Sequence, residues 1–297
     1  MEKKDIGWIG LGKMGNPMSR NLLKAGYSLS VYDIQEGAVK KLAERGATVA
    51  ESAVAVARGA KVTISMIPDD KALEDVALGE NGVLAGAAPG SIYIDMSTVS
   101  PALSSRVAEA AAGKHIKYLR APVSGSTESA GAGALTILAS GPREAFEECK
   151  DIFNVMGQKV FYTGEGDEAR YLKLLINIMV GITSAMTAEA LVFGKKGGLD
   201  WEKMIDIING SVVTSPLIGF KVQLLKEQKF TPAFTVDQMT KDFDLALETG
   251  RALNIPLLLT SLTRELYGIM KATGRGGFDY FGLAALAKEM AGLNTGT

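Results

Sequence analysis

The first half of the chain alternates short, β-branched apolar runs with amphipathic stretches and glycine-rich turns. Apolar runs bounded by turn residues predict strands over residues 6–9, 29–33, 62–67, 91–95 and 117–123. Between the first two strands, Met18, Leu22 and Ala25 share one face of a predicted helix over 17–25, and Gly26 ends that helix. Strands that alternate with helices favour a parallel sheet covered on both faces.

The pattern changes near Gly164. From about Glu168, apolar residues recur at helical spacing and few strand candidates remain. The stretches with this spacing are 172–193, 204–208, 243–253 and 258–270. We therefore predict an α/β domain over residues 1–163 and an all-helical domain for substrate binding and oligomerisation over residues 164–297.

Composition excludes several classes of function. The chain of 297 residues has a net charge of −1, so no basic surface field attracts nucleic acid or anionic lipid. The lone cysteine, Cys149, permits no internal disulfide, which is typical of a reducing compartment such as the cytoplasm. The lone histidine, His115, is expected in an exposed loop, and these two residues cannot supply a zinc site.

One long stretch, residues 174–188, carries no charge. It is shorter than a bilayer requires, and it contains Asn177, Thr183, Ser184 and Thr187. We expect a helix buried between domains or subunits, in a homodimer or homotetramer, and no membrane span.

A glycine-rich turn directly follows the first predicted strand and opens the first helix. Its residues are Gly10, Leu11, Gly12, Lys13, Met14 and Gly15, which form the pattern G-x-G-x-x-G. In this context the first glycine permits a tight turn, the second lets the backbone approach a pyrophosphate, and the third allows close packing of helix on strand. The pattern therefore predicts a dinucleotide site.

Asp33 ends the second predicted strand, 23 positions after Gly10. This is close to the spacing of roughly 20 at which dinucleotide-binding domains place an acid. The Asp33 carboxylate can accept hydrogen bonds from the adenosine ribose and would repel a 2′-phosphate. No arginine follows in Ile34-Gln35-Glu36. We therefore expect NAD, with NADP less favoured, while a simple turn-capping role for Asp33 stays the weaker alternative.

This turn is one of several motifs by which the chain resembles the β-hydroxyacid dehydrogenase family. The opening 10–18 resembles the family's first motif, and Asp95-Met-Ser-Thr98 resembles its loop beside the nicotinamide. The stretch 121–125, continued at 133–137, resembles its substrate-binding segment, and 173–177 resembles its catalytic helix. Lys241-Asp242 resembles a late motif whose lysine reaches the cofactor site. These similarities span nearly the whole chain.

The resemblance implies a Rossmann-type doubly wound domain, a long connecting helix and an all-helical domain. Lys173 would be the catalytic acid/base, and Asn177 and the turn at Ser124, Gly125 and Ser126 would hold a small carboxylate substrate. Ile67, Pro68 and Thr98 would line the nicotinamide, and Lys241 would contact both the cofactor and the substrate. Ser97 and Thr98 could in addition cap the helix that starts near Pro101.

Chemistry argued from the residues alone leaves the lysine's role open. Lys173 and Asn177 lie four apart and share one helix face, and partial burial beside a cationic nicotinamide would lower the pKa of such a lysine. A helix-end lysine that reaches solvent explains the spacing equally well. The resemblance favours the catalytic interpretation.

The substrate is less sharply predicted, because the chain departs from the family in two places. Arg120 stands where many relatives have an acid, and Ser126-Thr127 follow Gly125 where many have glycine. The Ser-Gly-Ser form is closer to NADPH-preferring glyoxylate/succinic semialdehyde reductases. That activity, and a non-catalytic nucleotide-binding homologue, are the alternatives to an NAD-dependent dehydrogenase of a 3-hydroxyisobutyrate-like acid.

Overall fold

The structure is a computed structural model that describes residues 5–293. The chain divides into two compact units, the first ending at Lys173 and the second beginning at Leu174. The predicted boundary between residues 163 and 164 lies ahead of this division and stays a prediction.

The first unit contains strands at all five predicted positions, together with further strands that the apolar runs did not predict. Its strands are β1 (Asp5–Ile9), β2 (Ser28–Tyr32), β3 (Thr48–Val49), β4 (Val62–Ser65), β5 (Ile92–Asp95), β6 (Lys117–Arg120), β7 (Val123–Ser124), β8 (Leu135–Ser140) and β9 (Gly157–Gly164). Its helices are α1 (Gly15–Lys24), α2 (Glu36–Ala43), α3 (Ala53–Arg58), α4 (Asp70–Leu78), α5 (Val83–Gly86), α6 (Pro101–Ala112), α7 (Thr127–Gly131), α8 (Arg143–Glu148) and α9 (Lys150–Met156).

The strands form one sheet in the order β3-β2-β1-β4-β5-β6-β8-β7, with β9 paired to β8. The first six are parallel, and this half has the 3-2-1-4-5-6 order of a Rossmann domain. Antiparallel pairing of β8 with β6 and β7 makes the sheet mixed, which the expectation of a parallel sheet did not include. The carboxyl ends of β1, β4 and β5 meet at one edge, where such folds bind ligands.

Each face of the sheet has its own apolar core, as a doubly wound fold requires. One core includes Trp8, Met18 and Leu22 and packs α1 against the strands. The other includes Leu73, Tyr93 and Val107 beneath α4 and α6. Both faces are thus covered by helices, and the Rossmann-type fold is confirmed.

The predicted strand over 117–123 is two strands. Pro122 lies between β6 and β7, and proline has no N–H to donate to a sheet ladder. The backbone changes partner here, since Arg120 is paired with Ser140 while Val123 is paired with Ile137. This break delivers the Ser124–Ser126 turn to the end of the sheet.

The second unit is helical, as predicted. Helix α10 (Glu168–Lys196) begins in the first unit and supplies the opening of the second. The other helices are α11 (Trp201–Asn209), α12 (Pro216–Glu227), α13 (Val236–Ala252), α14 (Leu258–Ala272) and α15 (Leu283–Met290), with a 3-10 turn at Tyr280–Gly282. Within residues 5–293, one helix, α10, is long and apolar enough to cross a membrane by length and composition alone. One third of its most apolar 18-residue segment is buried.

Helices α10 and α13 approach each other closely at Gly181. A Cβ at this buried position would lie only 2.5 Å from Cζ of Phe243 in α13. The hydroxyl of Tyr267 in α14 donates to the Gly181 carbonyl at 3.2 Å, and its ring meets Phe243 edge-on at 5.7 Å between centroids. The missing side chain therefore sets the spacing of the two helices.

Candidate active site

The glycine-rich turn has the shape that a dinucleotide needs. Gly10 has a φ of +90°, and a Cβ there would collide with the Met66 carbonyl. A Cβ on Gly15 would collide with the Gly10 carbonyl, so no larger side chain fits at either position. At Gly12 a Cβ would meet nothing within 4 Å, which leaves that side of the backbone open for a pyrophosphate.

Helix α1 points its amino end at this opening. Its N-cap is Met14, and within residues 5–293 no side chain caps the helix. The first-turn N–H groups, together with the positive end of the helix dipole, suit a phosphate. Leu11 is buried beneath the turn and Lys13 is exposed beside it, so the lysine is available to an anionic ligand.

Asp33 joins the end of β2 to the glycine-rich turn. One carboxylate oxygen accepts from Leu11 N at 2.6 Å and the other from Gln35 N at 2.7 Å. A carboxylate has about four acceptor positions, so two remain for a ribose. Asp33 is half-buried. The turn-capping and ribose-binding interpretations are therefore compatible at this residue.

The loops after β4 and β5 are joined by Ser97. Its hydroxyl accepts from Ile67 N at 2.9 Å and donates to Asp95 at 2.7 Å. The expectation that Ser97 and Thr98 cap α6 is wrong, because Ser100 is the N-cap and accepts from Leu103 N. Thr98 is half-buried and Pro68 is exposed at the same edge of the sheet.

A buried ion pair lies behind these loops. Asp95, at the end of β5, and Arg170, in the first turn of α10, are 2.6 Å apart with fully buried side chains. Burial, and then the nearby Asp95 carboxylate, raise the pKa of Tyr93, so its hydroxyl stays protonated beside Ser65. Asp95 was predicted only as part of the loop motif beside the nicotinamide, and Arg170 was not predicted to have a role. An acid that ends a strand as apolar as Ile92–Asp95 was the available signal.

Lys173 is the last residue of the first unit, one turn after Arg170, and is half-buried. Asn177 follows one turn later on the same helix and is 6% exposed. Its amide nitrogen donates to Asp242 of α13, a carboxylate that is itself buried. Lys241 forms an ion pair with the same carboxylate at 2.9 Å.

The Asp242 carboxylate fixes the orientation of the Asn177 amide. A carboxylate can only accept, so the amide nitrogen must face it and the carbonyl oxygen must point elsewhere. Asp242 was predicted only as part of the late motif with Lys241. The structure thus brings Asn177 together with the adjacent residues Lys241 and Asp242, although Asp242 is 65 positions from Asn177 in the sequence.

The predicted substrate turn leaves β7 with an unusual backbone. Gly125 has a φ of +145°, and a Cβ there would lie 2.8 Å from Leu135. Ser126 caps the short helix α7 by accepting from Ser129 N at 3.2 Å. Ser124 is half-buried and paired with Thr136 of β8.

Neither a histidine nor a metal cluster stands at these positions. His115 is exposed in a loop with a φ of +58°, as expected. Among residues 5–293, no group of three or more His, Cys, Asp or Glu side chains could hold a metal ion.

Comparison with known proteins agrees with this geometry over both units. Residues 5–164 match the family described as the NAD binding domain of 6-phosphogluconate dehydrogenase. Residues 167–287 match a second family, described as NAD-binding of NADP-dependent 3-hydroxyisobutyrate dehydrogenase. The chain is 38% identical to 3-hydroxyisobutyrate dehydrogenase of Pseudomonas aeruginosa, covering 89% of this chain and 91% of that protein. It is 35% identical to 2-(hydroxymethyl)glutarate dehydrogenase of Eubacterium barkeri, covering 99% and 98%.

A solved structure gives the same result. The 3-hydroxyisobutyrate dehydrogenase of Mycobacterium tuberculosis, determined with L-serine, superposes with a TM-score of 0.88 at 26% identity, covering 96% of this chain and 99% of that one. The chain belongs to the β-hydroxyacid dehydrogenase family. It is an NAD(P)-dependent dehydrogenase of hydroxy acids.

Proposed function

We propose that this enzyme interconverts a small β-hydroxy acid and its semialdehyde, prefers NAD, and uses Lys173 as its acid/base. The observation that carries the proposal is the pair Lys173 and Asn177, one turn apart at the start of α10, with Asn177 held in a fixed orientation by Asp242. Two relatives named above are dehydrogenases of the β-hydroxy acids 3-hydroxyisobutyrate and 2-(hydroxymethyl)glutarate, which supports a substrate of this class.

Oxidation of the alcohol breaks its C–H bond as a hydride and its O–H bond as a proton. A bound nicotinamide supplies the hydride acceptor. The neutral amine of Lys173 takes the hydroxyl proton, and in the reverse direction its ammonium returns a proton to the carbonyl oxygen. Lys173 therefore gains a proton in the oxidation step and must release it to solvent before the next turnover.

Asn177 supports this cycle through its carbonyl oxygen. Because its amide nitrogen faces Asp242, the carbonyl is the group oriented to accept from the lysine ammonium. Lys241 neutralises Asp242, so the buried carboxylate does not add a net charge beside the reacting groups. We assign the substrate carboxylate to the turn at Ser124–Ser126, where backbone N–H groups and hydroxyls can bind an anion.

The preference for NAD rests on Asp33. Its two remaining acceptor positions suit a ribose diol, and its charge opposes a 2′-phosphate. Asp33→Ala would remove the charge but would also release the Leu11 and Gln35 amides. Asp33→Asn keeps one acceptor oxygen and removes the charge. Asp33→Asn should therefore reduce the ratio of kcat/KM with NAD to kcat/KM with NADP, and it should disturb the turn less than Asp33→Ala does.

The first experiment is a screen of 3-hydroxyisobutyrate, L-serine, 2-(hydroxymethyl)glutarate, glyoxylate and succinic semialdehyde with NAD(H) and NADP(H). We expect the highest kcat/KM with a β-hydroxy acid and NAD. Equal or better turnover of glyoxylate or succinic semialdehyde with NADPH would instead establish the reductase alternative.

The second experiment tests the lysine. Positioned acid–base catalysis contributes about 10²–10⁴-fold, so Lys173→Ala should lower kcat by roughly that factor. Lys173→Arg should not restore activity, because a guanidinium stays protonated. Lys196→Ala, at the exposed end of the same helix, is the matched control. If Lys173→Ala kept the wild-type kcat, Lys241 would be the next candidate.

A further inference from the structure

The start of α10 is fixed to the sheet by one fully buried and one partly buried ion pair. Arg170 meets Asp95 at 2.6 Å, and Arg120, at the end of β6, meets Asp167 at 2.8 Å just before the helix begins. The Asp167 carboxylate also accepts from Ser105. The pairs join the first residues of α10 to the ends of two adjacent strands, β5 and β6.

Arg170 has more partners than an ion pair requires. Besides Asp95, its guanidinium donates to the Ser97 carbonyl at 2.7 Å, to the Tyr118 hydroxyl at 3.0 Å and to the Ser104 hydroxyl at 3.1 Å. The side chain is 1% exposed. A planar fork with five N–H groups can meet four acceptors in different directions, which a lysine cannot do.

The network continues to the loops at the cofactor edge. The second oxygen of Asp95 accepts from Ser65 and Ser97, each at 2.7 Å, and Ser97 in turn accepts from Ile67 N. An unbroken chain of hydrogen bonds therefore runs from the loop after β4, through the loop after β5, to the first turn of α10. All of these residues lie in the first unit.

Stability alone does not explain this arrangement. Exchanging a buried ion pair for apolar side chains of similar volume is often neutral or stabilising, whereas the pair fixes one geometry. Lys173 follows Arg170 by one turn, so whatever fixes Arg170 also fixes the backbone that carries Lys173. A misplacement of about 1 Å in a reacting group can cost a factor of about 10² in rate.

We propose that Arg170 is a positioning residue for hydride and proton transfer. Through Asp95 and Ser97 it fixes the turn that carries Lys173 relative to the loops after β4 and β5. The proposal rests on the proposed function, in which those loops face the nicotinamide and Lys173 carries the proton. Arg120 and Asp167 hold the neighbouring strand end in the same way.

Two variants and a matched control test whether Arg170 positions the turn that carries Lys173. Arg170→Lys keeps a charge for Asp95 but loses the donations to Ser97 and Ser104. Arg170→Met with Asp95→Asn removes both charges together, so neither is left buried and unpaired. The control, Lys221→Met with Asp279→Asn, removes a buried ion pair of 2.7 Å from the second unit.

We would measure thermal unfolding, NADH affinity by fluorescence, kcat on the best substrate of the screen, and amide hydrogen exchange over residues 166–176. Both Arg170 variants should lower kcat by about 10–100-fold, while NADH affinity changes by less than about threefold. Amides at the start of α10 should exchange faster. The control should keep its kcat and its exchange at 166–176, whatever the change in its thermal unfolding.

Three outcomes would overturn the proposal: a wild-type kcat in both Arg170 variants, unchanged exchange at 166–176, or an equal loss of kcat in the control. Lys173→Ala separates this proposal from the proposed function. Lost activity in Lys173→Ala with full activity in the Arg170 variants refutes only the positioning role. Full activity in Lys173→Ala refutes the lysine mechanism whatever the Arg170 variants do.

Discussion

Gly181→Ala probes how closely α10 and α13 must approach. The new Cβ would lie 2.5 Å from Cζ of Phe243 and 3.1 Å from Sδ of Met239, whereas carbon atoms in contact are about 3.5–4.0 Å apart. The Phe243 ring must therefore retreat by about 1 Å, against Tyr267 behind it. Overpacking of this kind costs about 1–3 kcal/mol, and alanine in a helix recovers about 1 kcal/mol.

The free energy of unfolding of Gly181→Ala should therefore be lower by about 1 kcal/mol, which lowers Tm by roughly 2–4 °C. Asp242 directly precedes Phe243, so the same displacement should loosen its hydrogen bond to Asn177 and lower kcat. Gly219→Ala is the control, since its Cβ would meet only Asn209 at 3.6 Å, at an exposed position near the start of α12. We expect that variant to be as stable as the wild type or more so. Equal Tm shifts of the same sign in both variants would refute the reasoning.

Three further predictions follow from other parts of the molecule. Burial, and then a hydrogen bond to Asp151, raise the pKa of Tyr27 to about 12. The contribution of the protonated Tyr27 hydroxyl to stability should be complete below pH 10 and lost as the pH rises towards 12. Tyr27→Phe should therefore reduce the decrease in Tm between pH 10 and pH 12, and an unchanged decrease would contradict this. The apolar exposed side chains of the helical unit, among them Phe193 and Phe220, lead us to expect a homodimer or homotetramer, and a light-scattering mass near 31.4 kDa would contradict it. Activity should survive exhaustive chelation, and loss that zinc restores would overturn the lysine mechanism.

The sequence predicted the parts of the fold that depend on local pattern. Strands β1, β2, β4 and β5 end in glycine, aspartate or proline turns, and their apolar runs lie within two residues of the observed bounds. Strand β9 (Gly157–Gly164) was missed, because exposed and half-buried residues fill most of an edge strand. Helix α12 was missed too, although Ser215-Pro216 marks its start, because its apolar positions do not keep one face.

The candidate site was predictable only where one segment carries it. The glycine-rich turn and the pair Lys173 and Asn177 each lie within a few residues of sequence. The partners that orient them do not: Asp242 is 65 positions from Asn177, and Asp95 is 75 positions from Arg170. No periodicity records such pairings, because they depend on which strand and helix ends the tertiary fold brings together.

Asp33 also limits how this enzyme could change its cofactor. The same carboxylate that would discriminate against a 2′-phosphate also holds the backbone amides of Leu11 and Gln35. A single exchange to a small neutral residue would admit the phosphate and at the same time loosen the turn that binds the pyrophosphate. Adaptation towards NADP therefore requires removal of the charge together with replacement acceptors for both amides, and Asp33→Asn supplies only one acceptor oxygen. This requirement places a fitness valley between the two cofactor preferences, and a library randomised at Asp33 and Gln35 jointly should cross it more readily than either position alone.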